Sequence, residues 1–249
     1  MNHRKKLTCI LLVIPIIFFM NCENPQKAET ESNASEYLVN RTENFTVNGT
    51  GDNPHWEKAA WIELNKRERD EDVSLKTTVK MLYSETGLYF LFHCEDNRLT
   101  ATMDEDFLDL WNEDVVEVFL WPDENYPVYF EYELSPLNYE LPIMIANMNG
   151  DLSRWQPFHY RTDRHTAHAT SVIGSEKQSF AEIDAWIAEF FIPYKLLIPL
   201  NNVPPKKGVQ WRANFYRVDY DQERSVSWLW QLTKGNFHDY KSFGTITFN

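Results

Sequence analysis

Asp106-Phe-Leu-Asp-Leu-Trp-Asn-Glu-Asp-Val-Val-Glu-Val-Phe-Leu-Trp121, followed by Tyr129-Phe-Glu-Tyr-Glu-Leu-Ser-Pro-Leu-Asn138, reads as an acidic, tryptophan-bearing loop, a strand, a turn at Pro122-Asp123 and a second strand. Side chains of a strand alternate between its faces. Val115, Glu117, Phe119 and Trp121 therefore share one face of the first strand, and Tyr129, Glu131 and Glu133 share one face of the second. Carboxylates stand in mid-strand beside aromatic rings. That pairing suits a sugar, whose hydroxyls donate to the acid and whose C–H faces stack on the ring.

Working outward, the signals are those of short strands with turns between them. Phe45–Gly49, Leu75–Tyr83, Leu88–Cys94, 143–148, 166–173, Ile183–Ile192, Val209–Val218 and Gly244–Phe248 read as strands. A hairpin turn is expected at Ser84-Glu-Thr-Gly87, with Gly87 at positive φ. Trp186, Ala188, Phe190 and Ile192 fall on one apolar face, and Trp121, Trp186 and Trp211 read as core. Helical turns are expected only at Glu57–Ala60 and Tyr194–Leu197. Many strands and few helices indicate an all-β protein, a β-sandwich.

The first residues bear on location. Arg4-Lys5-Lys6 precedes an apolar run from Leu7 to Met20, which ends at Asn21-Cys22. The run is short for a membrane span and reads as a signal peptide over residues 1–21. Cys22 is placed as the lipidated residue of a lipoprotein, anchoring the chain to a membrane of the bacterial cell envelope on its periplasmic or surface side. Residues 22–42 read as a flexible tether, and 43–249 as one domain. Cys9 and Cys22 belong to the export segment, so Cys94 has no disulfide partner and reads as a small buried hydrophobe. The formal net charge of −13 offers no basic track and excludes nucleic acid as the expected partner.

Val79-Lys-Met-Leu-Tyr83, Gly87-Leu-Tyr-Phe90, Asp96, Leu110-Trp-Asn-Glu-Asp-Val-Val-Glu-Val-Phe119, Tyr129-Phe-Glu131, Pro136-Leu-Asn138, Glu189-Phe-Phe-Ile-Pro193, Trp211-Arg-Ala-Asn-Phe-Tyr-Arg217, Trp230, Asn236-Phe-His238 and Phe243-Gly-Thr-Ile-Thr-Phe248 resemble the family 9 carbohydrate-binding modules. They resemble more closely the bacterial lipoprotein branch called carbohydrate-binding family 9-like. The resemblance runs from about residue 42 to residue 249. It implies an immunoglobulin-like, DOMON-like antiparallel sandwich that holds the ends of polysaccharides or small sugars between two tryptophans. Structural calcium occurs in some members. Carried over by position, Trp111 and Glu117 supply a stacking ring and a hydroxyl-binding acid, and Trp230 the opposing ring with Trp228 as fallback; from the residues themselves, Arg212 and Asn214 on the polar face of their strand and Glu131 in mid-strand are placed as further polar contacts. Sugar-binding members carry basic and amide side chains at Tyr129–Glu133, where Glu131 and Glu133 stand here.

Each assignment has a packing alternative. Trp111 can cap the sandwich, Glu117 can pair with Arg212 or Arg217, and the polar face of Gln210, Arg212, Asn214 and Tyr216 can be merely solvated. The acidic group Asp104, Glu105, Asp106, Asp109, Glu113 and Asp114 reads as a solvated loop or a calcium site without recognisable loop spacing. Three functions compete. The favoured one is a non-catalytic lipoprotein capturing oligo- or polysaccharide beside polysaccharide-degrading enzymes, with no cofactor. A glycoside hydrolase would use two of Glu117, Glu131 and Glu133. A haem-binding electron carrier would need an axial pair from His93, His159, His165, His168, His238, Met103, Met144 and Met148, whose arrangement picks out none.

Overall fold

The computed structural model describes residues 35–70, 72–221 and 224–249. The strands in chain order are β1 (Glu36–Arg41), β2 (Ile62–Glu63), β3 (Asn65–Lys66), β4 (Thr77–Tyr83), β5 (Gly87–Glu95), β6 (Val115–Trp121), β7 (Val128–Leu134), β8 (Glu140–Met148), β9 (Asp151–Pro157), β10 (Ala167–Ile173), β11 (Ala185–Pro193), β12 (Gln210–Asp219), β13 (Val226–Leu229) and β14 (Gly244–Phe248). They hydrogen-bond in the order β10-β11-β5-β4-β1-β14-β12-β6-β7-β8-β9, with β2 on β4 and β13 between β12 and β3.

The ribbon curls into two facing layers. Tyr132 meets Phe190 at 4.8 Å between centroids, and Phe90 meets Phe215 at 6.0 Å, so β7 and β12 of the front layer pack on β11 and β5 of the back. The core follows the alternation. Val116, Val118 and Leu120 of β6 and Phe130, Tyr132 and Leu134 of β7 enter it, together with Trp186, Trp211, Trp228 and Trp230. Trp121, Trp186 and Trp211 are buried as expected.

The sandwich is not wholly antiparallel. β1 runs parallel to β14 through Glu36–Val39 and then parallel to β4 through Asn40–Arg41. One strand thus leaves the front layer and joins the back, closing that side. It occupies the end of the segment read as tether, whose apolar Tyr37 and Val39 are buried in the core. The signal segment, Cys22 and the rest of the tether lie outside the described residues.

Phe45–Gly49 is irregular and not a strand. It is held by the buried Glu189, whose carboxylate accepts the backbone N–H of Asn48 and Gly49 (2.9 and 2.8 Å) and the indole N–H of Trp56 (2.8 Å). Such charge-assisted bonds replace a ladder. Gly49 sits at φ 81, where a Cβ would lie 2.8 Å from the Ala169 carbonyl carbon. The β4–β5 hairpin forms, but Gly87 is needed for space rather than φ: its Cβ would lie 2.4 Å from the Ile192 carbonyl oxygen. A 3₁₀ turn at Pro54–Lys58 and helix α1 at Tyr194–Leu197 match the two expected helical turns.

Trp186→Ala removes a ring with no solvent exposure from between the layers. It should cost roughly 3–5 kcal/mol, read as a fall in denaturation midpoint at unchanged m-value. A loss under about 1 kcal/mol would place Trp186 outside the core.

Candidate functional site

The odd-numbered residues of β6 and β7 point away from the core, onto the outer face of the front layer. There Phe119, Tyr129, Ile143, Ile145, Tyr216 and Val218 form a second apolar cluster with Leu110 and Phe243. Above it lies a cleft of about 510 Å³. Trp111, Trp155, Phe237 and Tyr220 supply rings to its lining, Glu117, Glu131 and His238 its buried polar groups, and Arg67, Arg69, Ser225, Ser227 and Asn236 further donors.

Each wall is fixed by a local device. Trp111 sits in a 3₁₀ turn, Leu110–Asn112, and its carbonyl accepts the Tyr220 hydroxyl at 2.7 Å. Trp155 comes from β9, pairs with Ile145 of β8 and meets Trp111 edge to face at 5.3 Å and 83°. Phe237 stacks on Tyr216 at 4.2 Å and 14°, and the Tyr216 hydroxyl donates to the Phe237 carbonyl.

The acids lie side by side. Glu117 faces Glu133 across the β6–β7 ladder, and Glu131 is two residues along the same face. All three are buried, and neither oxygen of Glu133 nor Oε2 of Glu131 has a hydrogen-bond partner among the described residues. Burial, with repulsion from its carboxyl neighbours, pushes Glu117 and Glu133 well above the usual range. Burial pushes Glu131 up to about 8. The shift favours the protonated form, and a protonated carboxyl both donates and accepts. Burial lowers His238 to about 4, so its ring is neutral; Nδ1 lies 2.8 Å from the Tyr129 hydroxyl.

Trp111, Glu117 and Glu131 therefore meet in one cleft, as the sequence suggests. Trp230, Arg212 and Asn214 do not line it. Trp230 shares the inward face of Val226 and Trp228, stacks on Phe215 at 5.1 Å and 15°, and presses on Gly244. Trp228 is equally buried, against the Arg217 guanidinium at 4.6 Å. Arg212 latches the chain at Phe243 and Gly244 through their carbonyls and reaches Glu124 at 3.6 Å. The Asn214 amide is saturated: it donates to the Tyr216 hydroxyl and the Gln231 carbonyl and accepts from the N–H of Phe215 and Gln231. It positions Tyr216, and through it Phe237, rather than touching a ligand.

The ring the structure sets against Trp111 is Trp155, in edge-to-face contact, and sequence reasoning missed it along with β9. A signal was present. Asn149-Gly150 directly follows the β8 run, both at positive φ (59 and 100), the signature of a two-residue hairpin turn. Plain alternation from that turn would set Trp155 opposite Met144; a register shift between Ala146 and Asn147 moves it beside Ile145, onto the cleft face.

The acidic loop does not gather its oxygens. Asp106 accepts the Glu140 N–H, Glu113 the N–H groups of Thr102 and Met103, and Asp114 those of Thr100 and Tyr220. Carboxylates that converge among the described residues are Asp96, Asp219 and Asp221, within 4.8 Å of one another. The Arg217 guanidinium stands 2.8 Å from the first two. Of the histidines weighed as haem ligands, the cleft is lined by His238.

A two-layered β-sandwich with an aromatic, acid-floored cleft on its outer face defines a ligand-binding module. Residues 47–249 match the family described as carbohydrate family 9 binding domain-like, and the chain belongs to that family. It is similar to an extracellular protein of Arthroderma benhamiae, 25% identical over 200 residues that span 76% of this chain and 86% of that one. Among solved structures, it is similar to a proposed carbohydrate-binding protein of Bacteroides uniformis (TM-score 0.70, 16% identity, 86% of this chain and 99% of that one). Two further likenesses are to a family 9 module of Caldicellulosiruptor kristjanssonii, in complex with cellotriose (TM-score 0.62, 16% identity, 86% and 93% covered) and with glucose (TM-score 0.59, 15% identity, 86% and 95% covered).

The protonated acids make a pH signature. Glu131 binds its proton up to about 8 when folded but releases it from 4.5 in the unfolded chain. The folded state holds more protons between these values, so stability falls as pH rises from about 5 to 8, by up to ~1.4 kcal/mol per pH unit for each such group. Glu133→Gln should raise the melting temperature at pH 8 and flatten this slope. Part remains because burial also raises Asp96 to about 7. An unchanged slope and a lowered melting temperature would show that Glu133 is ionised and paired.

Proposed function

We propose that the protein is a non-catalytic carbohydrate-binding lipoprotein that captures an oligo- or polysaccharide in this cleft and serves carbohydrate breakdown at the cell envelope. The observation that carries the reading is the cleft itself: Trp111, Trp155 and Phe237 present ring surfaces around Glu117 and Glu131, whose carboxyls can exchange hydrogen bonds with hydroxyls. Family membership and the cellotriose- and glucose-bound modules of the same fold support it.

The acids favour binding over cleavage. Glycoside hydrolysis needs two carboxyl groups flanking the scissile bond. Here Glu117, Glu131 and Glu133 stand on one face of one sheet, and the two that line the cleft, Glu117 and Glu131, would reach a ligand from the same side. We therefore expect no release of reducing sugar by the purified chain.

Stacking on an aromatic contributes about 1 kcal/mol beyond buried area, and about 1.4 kcal/mol is a tenfold change in affinity. For the sugar selected on a glycan array, Trp111→Ala and Trp155→Ala should each weaken binding about tenfold or more by calorimetry. Trp155 is half-exposed, so its variant should melt like the parent. Normal binding by both variants would move the site elsewhere.

Anchoring at Cys22 follows from its position directly after the apolar run. Cys22→Ala should move the protein from the membrane to the soluble fraction. Retention of the variant at the membrane, with no acyl group on Cys22 of the parent by mass spectrometry, would discard the anchor.

A further inference from the structure

Two arginines line the cleft, and a neutral sugar gives them no charge to meet. The backbone N–H of Arg67 is tied to the Ser227 carbonyl of β13 at 3.4 Å, so its position is set by the sheet. Its guanidinium lies over the Phe237 ring, 5.6 Å from the centroid, and donates to the Thr233 hydroxyl at 3.1 Å. No carboxylate pairs with it among the described residues. Arg69 approaches Asp70 at 3.6 Å, but that buried carboxylate already takes bonds from Arg224 and the Ser227 N–H. Burial, and then the nearby Arg69 charge, lower the Arg67 pKa, against smaller raising effects of Tyr216 and Asp70.

The floor does not answer this charge. Burial raises Glu117 on β6 and Glu131 and Glu133 on β7 toward their uncharged forms, keeps His238 neutral, and raises the Tyr129 and Tyr216 hydroxyls above their ordinary value. Although the chain carries −13 overall, the lining of the cleft carries positive charge with hydrogen-bonding but uncharged acids beneath it. A guanidinium is suited to a planar or tetrahedral oxyanion through parallel N–H donors.

Resting on the reading of the cleft as a carbohydrate site, we propose that it selects an anionic sugar, its carboxylate or sulfate ester docked on Arg67 and Arg69 while the ring packs among Phe237, Trp111 and Trp155. Arg67 and Arg69 are then specificity residues, and the protonated acids take the remaining hydroxyls without repelling the ligand.

The test is calorimetric titration of the full chain with matched trisaccharides that differ only at C6, as hydroxymethyl, carboxylate or O-sulfate, in the gluco, galacto and manno series. In a series that binds, an anionic member should bind at least about tenfold more tightly than its neutral counterpart, and its advantage should shrink as sodium chloride is raised. A lead for the carboxylate identifies a uronate ligand, and a lead for the sulfate a sulfated one. Arg67→Gln should bring the anionic member to the affinity of the neutral one. Arg69→Gln, at an exposed position, should remove part of the advantage. Neutral members binding as tightly as anionic ones would overturn the proposal while leaving the carbohydrate reading intact. Binding of no member in any series would overturn both.

Discussion

A guanidinium with no access to water, that of Arg217, joins the two layers. From β12 of the front layer it meets Asp96 at 2.8 Å, the Glu95 carbonyl and the Thr77 hydroxyl, all belonging to the back layer or its loop, and Asp219 at 2.8 Å on its own strand. The Trp228 ring lies against its face. A charge taken out of water is tolerated only when its partners are in place, and stripping one away costs about 3–5 kcal/mol. The register of front on back is thereby tied to this cluster. Its effect reaches the cleft. Asp219 accepts the Asp221 N–H, Tyr220 between them donates its N–H to Asp114, and the Tyr220 hydroxyl holds the Trp111 carbonyl. The aromatic wall of the site hangs from the ion cluster of the core.

The front layer has to satisfy two apolar faces, and this explains the density of aromatics. Its inner face fills the sandwich; its outer face, at Phe119, Tyr129, Ile143 and Ile145, is covered by the loop that carries Phe237, His238 and Phe243. Into that second apolar layer the chain inserts Glu117, Glu131 and Glu133. A fold selected for stability alone would place hydrocarbon there, since unpartnered carboxyls in a dry layer cost free energy. Local choices that oppose stability are expected where a ligand is handled. These acids sit at the base of the cleft.

Much of the architecture is legible in the sequence because period-two alternation is strong where a strand is buried on one or both faces. β4 to β8, β11, β12 and β14 announce themselves in this way, and Pro193 followed by Tyr194–Leu197 gives the short helix. What stays hidden is what local pattern does not encode. β1 is a short run, Tyr37-Leu38-Val39 between polar residues, whose burial comes from parallel pairing with β14 and then with β4. Phe45–Gly49 has an apolar pattern like that of a strand, yet its backbone is held by Glu189, a residue 140 positions away from Gly49.

The site divides along the same line. Trp111, Glu117 and Glu131 are legible because two of them stand in mid-strand among apolar neighbours, where a carboxylate is out of place, and the third in the loop that feeds the strand. The second ring is harder, because a tryptophan in the core and a tryptophan in a cleft are the same letter. What separates them is parity. Trp230 has the parity of Val226 and Trp228, which face the core, whereas Trp155 pairs with Ile145, which faces the cleft. Parity can be counted only after a strand and its partner are known. The four residues of β13 and the seven of β9 are too short or too polar to be recognised alone. The Asn149-Gly150 turn announces the β8–β9 hairpin, but the register shift between Ala146 and Asn147, which no local pattern encodes, decides that Trp155 faces the cleft.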